Sequence, residues 1–205
     1  MNNIETSVAE KFSDWVHNLN INDIPEEVVN KLQLIIIDSF GLMVSAKNEP
    51  YIKSLIDALQ EHGDCTLVGH NKKVNPFNAS IINGTAIHGE DFDDTFEGTP
   101  VHVGSVMVPA ILSSAQAKNL DGQKFLKGLV VGSELICRLA LVAPTAVHRQ
   151  GFHPTAIFGA FGSSIGVSSL LGNTTNEMSS GLGIVGSMAS GIIEYLAEGT
   201  STKRL

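Results

Sequence analysis

Apolar residues recur every three or four positions over most of the chain, which is the spacing of amphipathic helices. The first helix is predicted from Val8, Phe12, Trp15, Val16 and Leu19. A second helix is expected after Pro25 and is apolar almost all round as far as Phe40, so we predict that it is central and buried. A third helix is predicted from near Pro50 to His62, with Gly63 as its stop.

Strand signals are confined to one short segment, Cys65 to Val74, which predicts a hairpin. The pair Asn75-Pro76 then has the residue types of a helix cap and a first-turn proline. The helix that this pair opens is predicted to carry His88, Asp91 and Thr95 on one face, because these residues are three and four positions apart.

Four more helices are predicted in the second half of the chain: Val103 to Lys118, one capped by Asp121, one opened by His153-Pro154-Thr155 and reaching Leu171, and one with a capping box of Thr174 and Glu177. Pro109 either kinks the first of these or marks its start. The run Gly181 to Gly186 matches the dinucleotide fingerprint GxGxxG, but no strand precedes it, so we assign these glycines to helix packing. We expect an all-α fold in one domain, residues 1–205.

Composition narrows the class of protein. The 205 residues carry a net charge of −8 and no basic patch, so we expect no nucleic-acid partner. The two cysteines, Cys65 and Cys137, cannot form a zinc or iron–sulfur motif and are predicted to be reduced thiols. The first residues lack a secretory signal, and the uncharged run from Thr155 to Leu171 is short and rich in glycine and serine. These features predict a cytoplasmic protein without a membrane span.

The densest group of chemically active residues is Asp91-Phe92-Asp93-Asp94, since three carboxylates so close together are costly to bury without partners. One interpretation is a solvated helix end. A second is magnesium binding, because the run to Glu97 imitates the DDxxD/E motif of isoprenoid synthases, although a second acidic motif and basic residues for a diphosphate are lacking. The third is a metal-free site where Asp91 and Thr95 contact a substrate and His102 transfers protons.

Two histidines, His102 and His153, each stand where a loop meets a predicted helix. A helix N-terminus offers free amides and a positive dipole, so a substrate carboxylate is expected to bind there beside the imidazole. His148 and Arg149 add positive charge just before His153. The pair Lys203-Arg204 has the chemistry of an anion site and, equally, of a solvated tail.

Four separated motifs follow one another in the chain: Asn83-Gly84-Thr85-Ala86 with His88 and Asp91-Phe92-Asp93-Asp94-Thr95, then Pro100-x-His102-x-Gly104-Ser105, then Gly151-Phe152-His153-Pro154-Thr155, then Gly199-Thr200-Ser201-Thr202-Lys203-Arg204. With these motifs the chain resembles the MmgE/PrpD family, which includes 2-methylcitrate dehydratase, cis-aconitate decarboxylase and iminodisuccinate epimerase. The resemblance implies a helical domain that carries most of the active site, followed in the family by a smaller α/β lid domain that this chain lacks. It also implies action on small di- or tricarboxylates without a metal or cofactor, usually as homodimers.

The resemblance assigns catalytic roles to His102, His153, Asp91 and Lys203, and substrate binding to Thr95, Lys203 and Arg204. Fixed cations would stabilise the enolate charge that builds up when a proton leaves a carbon beside a carboxylate. Among the family's reactions we rank 2-methylcitrate dehydration first, then epimerisation, then cis-aconitate decarboxylation. The alternative is a non-catalytic helical remnant or dimerisation module. Because the lid segment would close the cleft and exclude water, we expect little or no activity from this chain alone.

Overall fold

The computed structural model describes residues 6–59 and 61–199. In this part of the chain the α-helices are α1 Val8–Asn18, α2 Glu26–Ala46, α3 Pro50–Asp57, α4 Pro76–His88, α5 Gly104–Ala117, α6 Gly122–Val142, α7 Ala146–Arg149, α8 Pro154–Leu171, α9 Thr175–Met188 and α10 Tyr195–Glu198. The strands β1 Cys65–Thr66 and β2 Lys73–Val74 form an antiparallel ribbon in which Cys65 faces Val74. The all-α fold and the single hairpin are therefore confirmed.

Several helices begin where local side chains cap them, as the sequence predicts. Thr174 and Glu177 form a reciprocal capping box at the start of α9. The Asp121 carboxylate accepts the backbone N–H of Lys124 at the start of α6, and Asn75 caps α4 in the same way. Pro109 lies inside α5, which begins at Gly104, so this proline does not mark the helix start.

The core is built around a close contact between α6 and α8, where glycines face each other. A Cβ placed on Gly132 would lie 2.7 Å from the carbonyl oxygen of Gly162, and one placed on Gly166 would lie 2.8 Å from that of Gly128. Both distances are too short for a real Cβ, so the two backbones meet almost directly. The absence of a side chain at these glycines is what allows the two helices to pack so closely.

Helix α2 does not take the central position predicted for it. Leu34, Ile37 and Val44 on its outer side are 63%, 68% and 48% exposed, while Leu32 and Met43 on the inner side are buried. The helix therefore packs on one side only, and the prediction that it is fully buried is wrong. The sequence of α2 is apolar on both sides. Apolar residues also occur on protein surfaces, so the sequence alone does not show which side of the helix is covered.

Helix α3 ends at Asp57 and not near His62, earlier than its apolar pattern suggests. The Nζ atom of Lys72 donates to the carbonyl oxygens of Ile56 and Leu59, so a side chain from the hairpin binds the end of this helix. By length and composition alone, α2 and α8 are long and apolar enough to cross a membrane, a property that core helices of soluble proteins share.

Candidate active site

The site forms around the loop between α4 and α5. Helix α4 ends at His88, and Asp91 has a φ of 60°, a left-handed conformation that aspartate tolerates better than most residues. The turn takes Asp91 and Thr95 off the helix, so the prediction that they share a helical face with His88 is wrong. The loop nevertheless returns toward His88 before α5 begins at Gly104.

Asp94 occupies the N-terminus of α5. Its carboxylate accepts the backbone N–H of Gly104 at 2.8 Å and that of Val103 at 3.3 Å. Burial raises the pKa of Asp94, the N–H of Gly104 lowers it in part, and the charge of Asp93 raises it again. The amides beside His102 that we expected to bind a substrate carboxylate are therefore already occupied by a protein carboxylate.

Asp93 points into the protein and its side chain is fully buried. One carboxylate oxygen, Oδ2, lies 2.8 Å from Nδ1 of His88, and the other, Oδ1, lies 3.5 Å from Nδ1 of His102. Burial alone would raise the pKa of Asp93, but the hydrogen bond and charge of His88, followed by the charge of His102, hold it below its ordinary value. Asp93 is thus an ionised carboxylate shared between two imidazoles.

The orientation of His102 follows from its neighbours. Its Nδ1 lies 3.1 Å from the carbonyl oxygen of Asp94, which can only accept, so Nδ1 carries a proton. Its backbone N–H donates to Oγ1 of the buried Thr155, and Oγ1 of Thr95 lies 3.4 Å from Nδ1. The other ring nitrogen, Nε2, lies 3.7 Å from Oδ1 of Asp91 and is the atom available for proton transfer.

His153 reaches the same place from the start of α8. Its backbone N–H donates to the carbonyl oxygen of Gly191, and its ring stacks on that of His88 with centroids 5.7 Å apart. The Tyr195 ring meets His153 edge-on at 5.5 Å. A cavity of about 270 Å³ is lined by Asp91, Thr95, Pro100, His102, His148, His153, Pro154, Ile193, Tyr195 and Leu196. Among the described residues, no lysine or arginine lines this cavity.

Tyr195 adds a hydroxyl donor that the sequence analysis did not identify. Burial, followed by the charge of Asp91, raises the pKa of Tyr195 to about 12. The phenol therefore stays protonated at physiological pH and can donate a hydrogen bond to an anion in the cavity. Its position depends on the turn at residues 189–194, for which no sequence motif gave a signal.

The predicted site residues Asp91, Thr95, His102 and His153 lie together around this cavity. Lys203 and Arg204, which were predicted to hold the anion, fall outside the described residues. Besides the residues predicted from the sequence, the structure adds His88, Asp93 and Tyr195 to the site. The sequence does not predict the pairing of His88 with Asp93, because side chains that meet on a helix are three or four residues apart and these two are five apart.

The carboxylates do not form the magnesium motif considered above, since Asp93 and Asp94 are directed to different protein partners. The donor atoms of His88, Asp91, Asp93 and His102 lie within 4.8 Å of one another, which is a loose arrangement for a metal. Bonds of about 2.1 Å in a tetrahedral zinc site require ligand atoms roughly 3.4 Å apart. A tetrahedral zinc site would therefore require the most widely separated of these ligand atoms to lie well inside the 4.8 Å limit.

A comparison with known protein families gives the same result as the motifs. The family model described as the MmgE/PrpD N-terminal domain matches residues 10–205. The chain belongs to the MmgE/PrpD family. This is a family of carboxylate lyases, and its substrates include small polycarboxylates such as cis-aconitate.

Three curated relatives are 25–29% identical to this chain over the part that aligns with it. A cis-aconitate decarboxylase-like protein of Aspergillus oryzae is 28% identical over 95% of this chain and 43% of its own length. The cis-aconitate decarboxylase of Aspergillus terreus is 25% identical over 93% of the chain and 41% of its own length. The cis-aconitate decarboxylase of Mus musculus is 29% identical over 97% of this chain and 42% of its own length. The chain therefore spans about two fifths of each relative, and these relatives are decarboxylases and not the dehydratase ranked first above.

Proposed function

We propose that this chain carries the histidine-lined part of the active site of a lyase that acts on a small polycarboxylate, with a cis-aconitate-like acid as the first substrate to test. The observation that supports the proposal is the meeting of His102, His153 and Asp91 around one cavity of about 270 Å³. Asp91 and His102 come from the loop between α4 and α5, and His153 comes from the start of α8, far away in sequence. Structural packing alone does not require these side chains to meet.

Decarboxylation is the reaction that we now place first, because the relatives are decarboxylases by name. In this reaction the bond between a carboxylate and the carbon skeleton breaks and CO₂ leaves. The electron pair stays on carbon, conjugated with a neighbouring unsaturated acid, until a proton is added. Protonated His102 would deliver that proton from Nε2, since its Nδ1 is held by the Asp94 carbonyl. Asp93 would stabilise the imidazolium.

In this proposal, groups other than His102 and Asp93 stabilise the negative charge that develops on the substrate. The hydroxyl of Tyr195 and the ring of His153 line the cavity and would face the developing negative charge. Lys203, with Arg204, is proposed to hold a substrate carboxylate, as the family motif implies. Dehydration and epimerisation need the same acid, base and cations, so the reaction must be read from its products. A cytoplasmic location and a homodimer stay predictions.

Binding is the first test, because it does not depend on turnover by this chain. We expect cis-aconitate or citrate, titrated into the ¹⁵N-labelled chain, to shift the ring resonances of His102 and His153 and to raise the melting temperature. Magnesium with pyrophosphate should do neither. His62→Gln, a substitution at an exposed histidine outside the cavity, is the matched control and should bind like the wild type.

Turnover is tested in D₂O by proton NMR, which separates loss of CO₂, loss of water and stereochemical exchange. Where activity is present, His102→Gln should lower the rate by about 10²–10⁴, the usual contribution of a general acid. Shifts confined to His62, or near-normal turnover by both His102→Gln and His153→Gln, would remove the proposed proton-transfer site.

A non-catalytic dimerisation module is the second candidate, and one feature favours it. On α2 the exposed residues Leu34, Ile37 and Val44, with Gly41 between them, follow a spacing of three and four residues. Such a stripe is typical of helix pairing. Sedimentation equilibrium of the wild type and of Ile37→Lys tests it: a dimer that Ile37→Lys dissociates supports this role, and a monomer at high concentration contradicts it.

A further inference from the structure

The buried pair His88 and Asp93 lies behind the proposed proton-transfer residues. His88 is the last residue of α4, and its side chain is 11% exposed, while that of Asp93 is completely buried. Their hydrogen bond, Nδ1 to Oδ2, is 2.8 Å long. Neither residue lines the 270 Å³ cavity, although His88 borders a neighbouring cavity of about 780 Å³ together with His153 and Tyr195.

The hydrogen bond fixes which nitrogen of His88 carries its proton. Asp93 is ionised, because the pair with His88 keeps its pKa below the ordinary value in spite of burial. An ionised carboxylate can only accept a hydrogen bond, so Nδ1 of His88 must donate. Neutral His88 therefore has a bare Nε2, and this atom is buried without a hydrogen-bond partner among the described residues.

An unpartnered buried nitrogen costs about 1–3 kcal/mol, so its presence calls for an explanation. The position of the ring supplies one. The His88 ring stacks on His153 at 5.7 Å with an angle of 21° between planes, and meets His102 edge-on at 4.9 Å. One imidazole thus contacts both of the histidines that line the cavity.

We propose that Asp93 and His88 are positioning residues: the Asp93 carboxylate keeps the proton of His88 on Nδ1, and the His88 ring forms the flat support on which His153 stacks. The Asp94 carbonyl orients His102 separately and leaves its Nε2 on the side of Asp91. The effect on catalysis rests on the function proposed above, but the proton positions do not. The titratable groups around the pair are Asp91, Asp94, His102, His153 and Tyr195.

Long-range ¹H–¹⁵N NMR of the intact chain tests this directly, because ring ¹⁵N shifts distinguish the two neutral tautomers. Above the ordinary titration range of histidine, His88 and His102 should both carry the proton on Nδ1. In Asp93→Asn the amide can donate to Nδ1, so His88 should lose this tautomer in favour of Nε2–H. Asp93→Glu, which keeps the acceptor, should restore it.

Asp91→Asn is the matched control, since it removes a carboxylate from the same loop and leaves both partners of the hydrogen bond between His88 and Asp93 in place. It should leave the tautomer of His88 unchanged, whereas a general effect of loop charge would alter it. The proposal is overturned if wild-type His88 carries its proton on Nε2, a result that needs no variant to fold. It is also overturned if a folded Asp93→Asn chain keeps the tautomer of His88 unchanged. No added acid is required, so failure of substrate binding remains a separate outcome.

Discussion

The glycine contact between α6 and α8 can be tested with one methyl group. Gly132→Ala would place a Cβ against Met107 of α5 and 2.7 Å from the carbonyl oxygen of Gly162. The end of the Met107 side chain is flexible and can turn away. The carbonyl belongs to the backbone of α8, so relief there requires the two helices to separate.

The size of the effect follows from two opposing terms. Overpacking a well-filled core costs about 1–3 kcal/mol. Alanine in place of glycine within a helix returns roughly 0.5–1 kcal/mol. We therefore expect Gly132→Ala to lower the free energy of unfolding by up to about 2.5 kcal/mol. For a chain of this length that corresponds to a fall in Tm of up to roughly 10 °C.

Urea unfolding, followed by circular dichroism and by the fluorescence of the single tryptophan Trp15, measures this change. The control is Gly183→Ala in α9, where an added Cβ has no atom within 4 Å. There only the helix term operates, so the control should gain about 0.5–1 kcal/mol. Equal stability of Gly132→Ala and Gly183→Ala would refute the close contact between α6 and α8.

Three further results are expected. Because folding raises the pKa of Asp94, this carboxyl contributes stability that is fully present below its ordinary pKa and is lost as the pH rises. In urea titrations between about pH 4 and pH 7, Asp94→Asn should lack this contribution, and parallel curves for the variant and the wild type would contradict this. Burial raises the pKa of Cys137 to about 11, and Cys65 is buried, so Ellman's reagent should react slowly with the native chain and fully in guanidinium; rapid native labelling would be the contrary result. Thr155→Val should cost about 1–3 kcal/mol in urea by orphaning the His102 N–H, and an unchanged midpoint would exclude that hydrogen bond.

Local signals predicted the helices well. Capping residues such as Asp121 and Thr174 act within four positions of themselves, so their effect is legible in the sequence. The burial of α2 was predicted wrongly because its coverage depends on distant parts of the molecule. The run Gly181 to Gly186 is helical as predicted. Gly181 and Gly186 pack against Ser164 and Phe161 of α8, whereas Gly183 faces open space.

The sequence predicted which residues form the site better than it predicted how they are arranged. His102 and His153 were identified because each precedes a helix, and the structure brings both to one cavity. The helical face assigned to Asp91 failed because the left-handed turn at this residue cannot be read from spacing. Tyr195 reaches the cavity because of the turn at residues 189–194, which carries no sequence motif. Its place in the site is therefore visible only in the folded structure.

The tetrapeptide from Asp91 to Asp94 sends three like-charged groups to three destinations: toward Nε2 of one histidine, into the interior, and onto the amides of a helix. Its length is therefore as constrained as its composition. Inserting or deleting a single residue would displace all three carboxylates from their partners, whereas a substitution changes one contact and leaves the other two in place. Transplanting this segment into another helical scaffold would succeed only together with the final turn of α4 and the opening turn of α5.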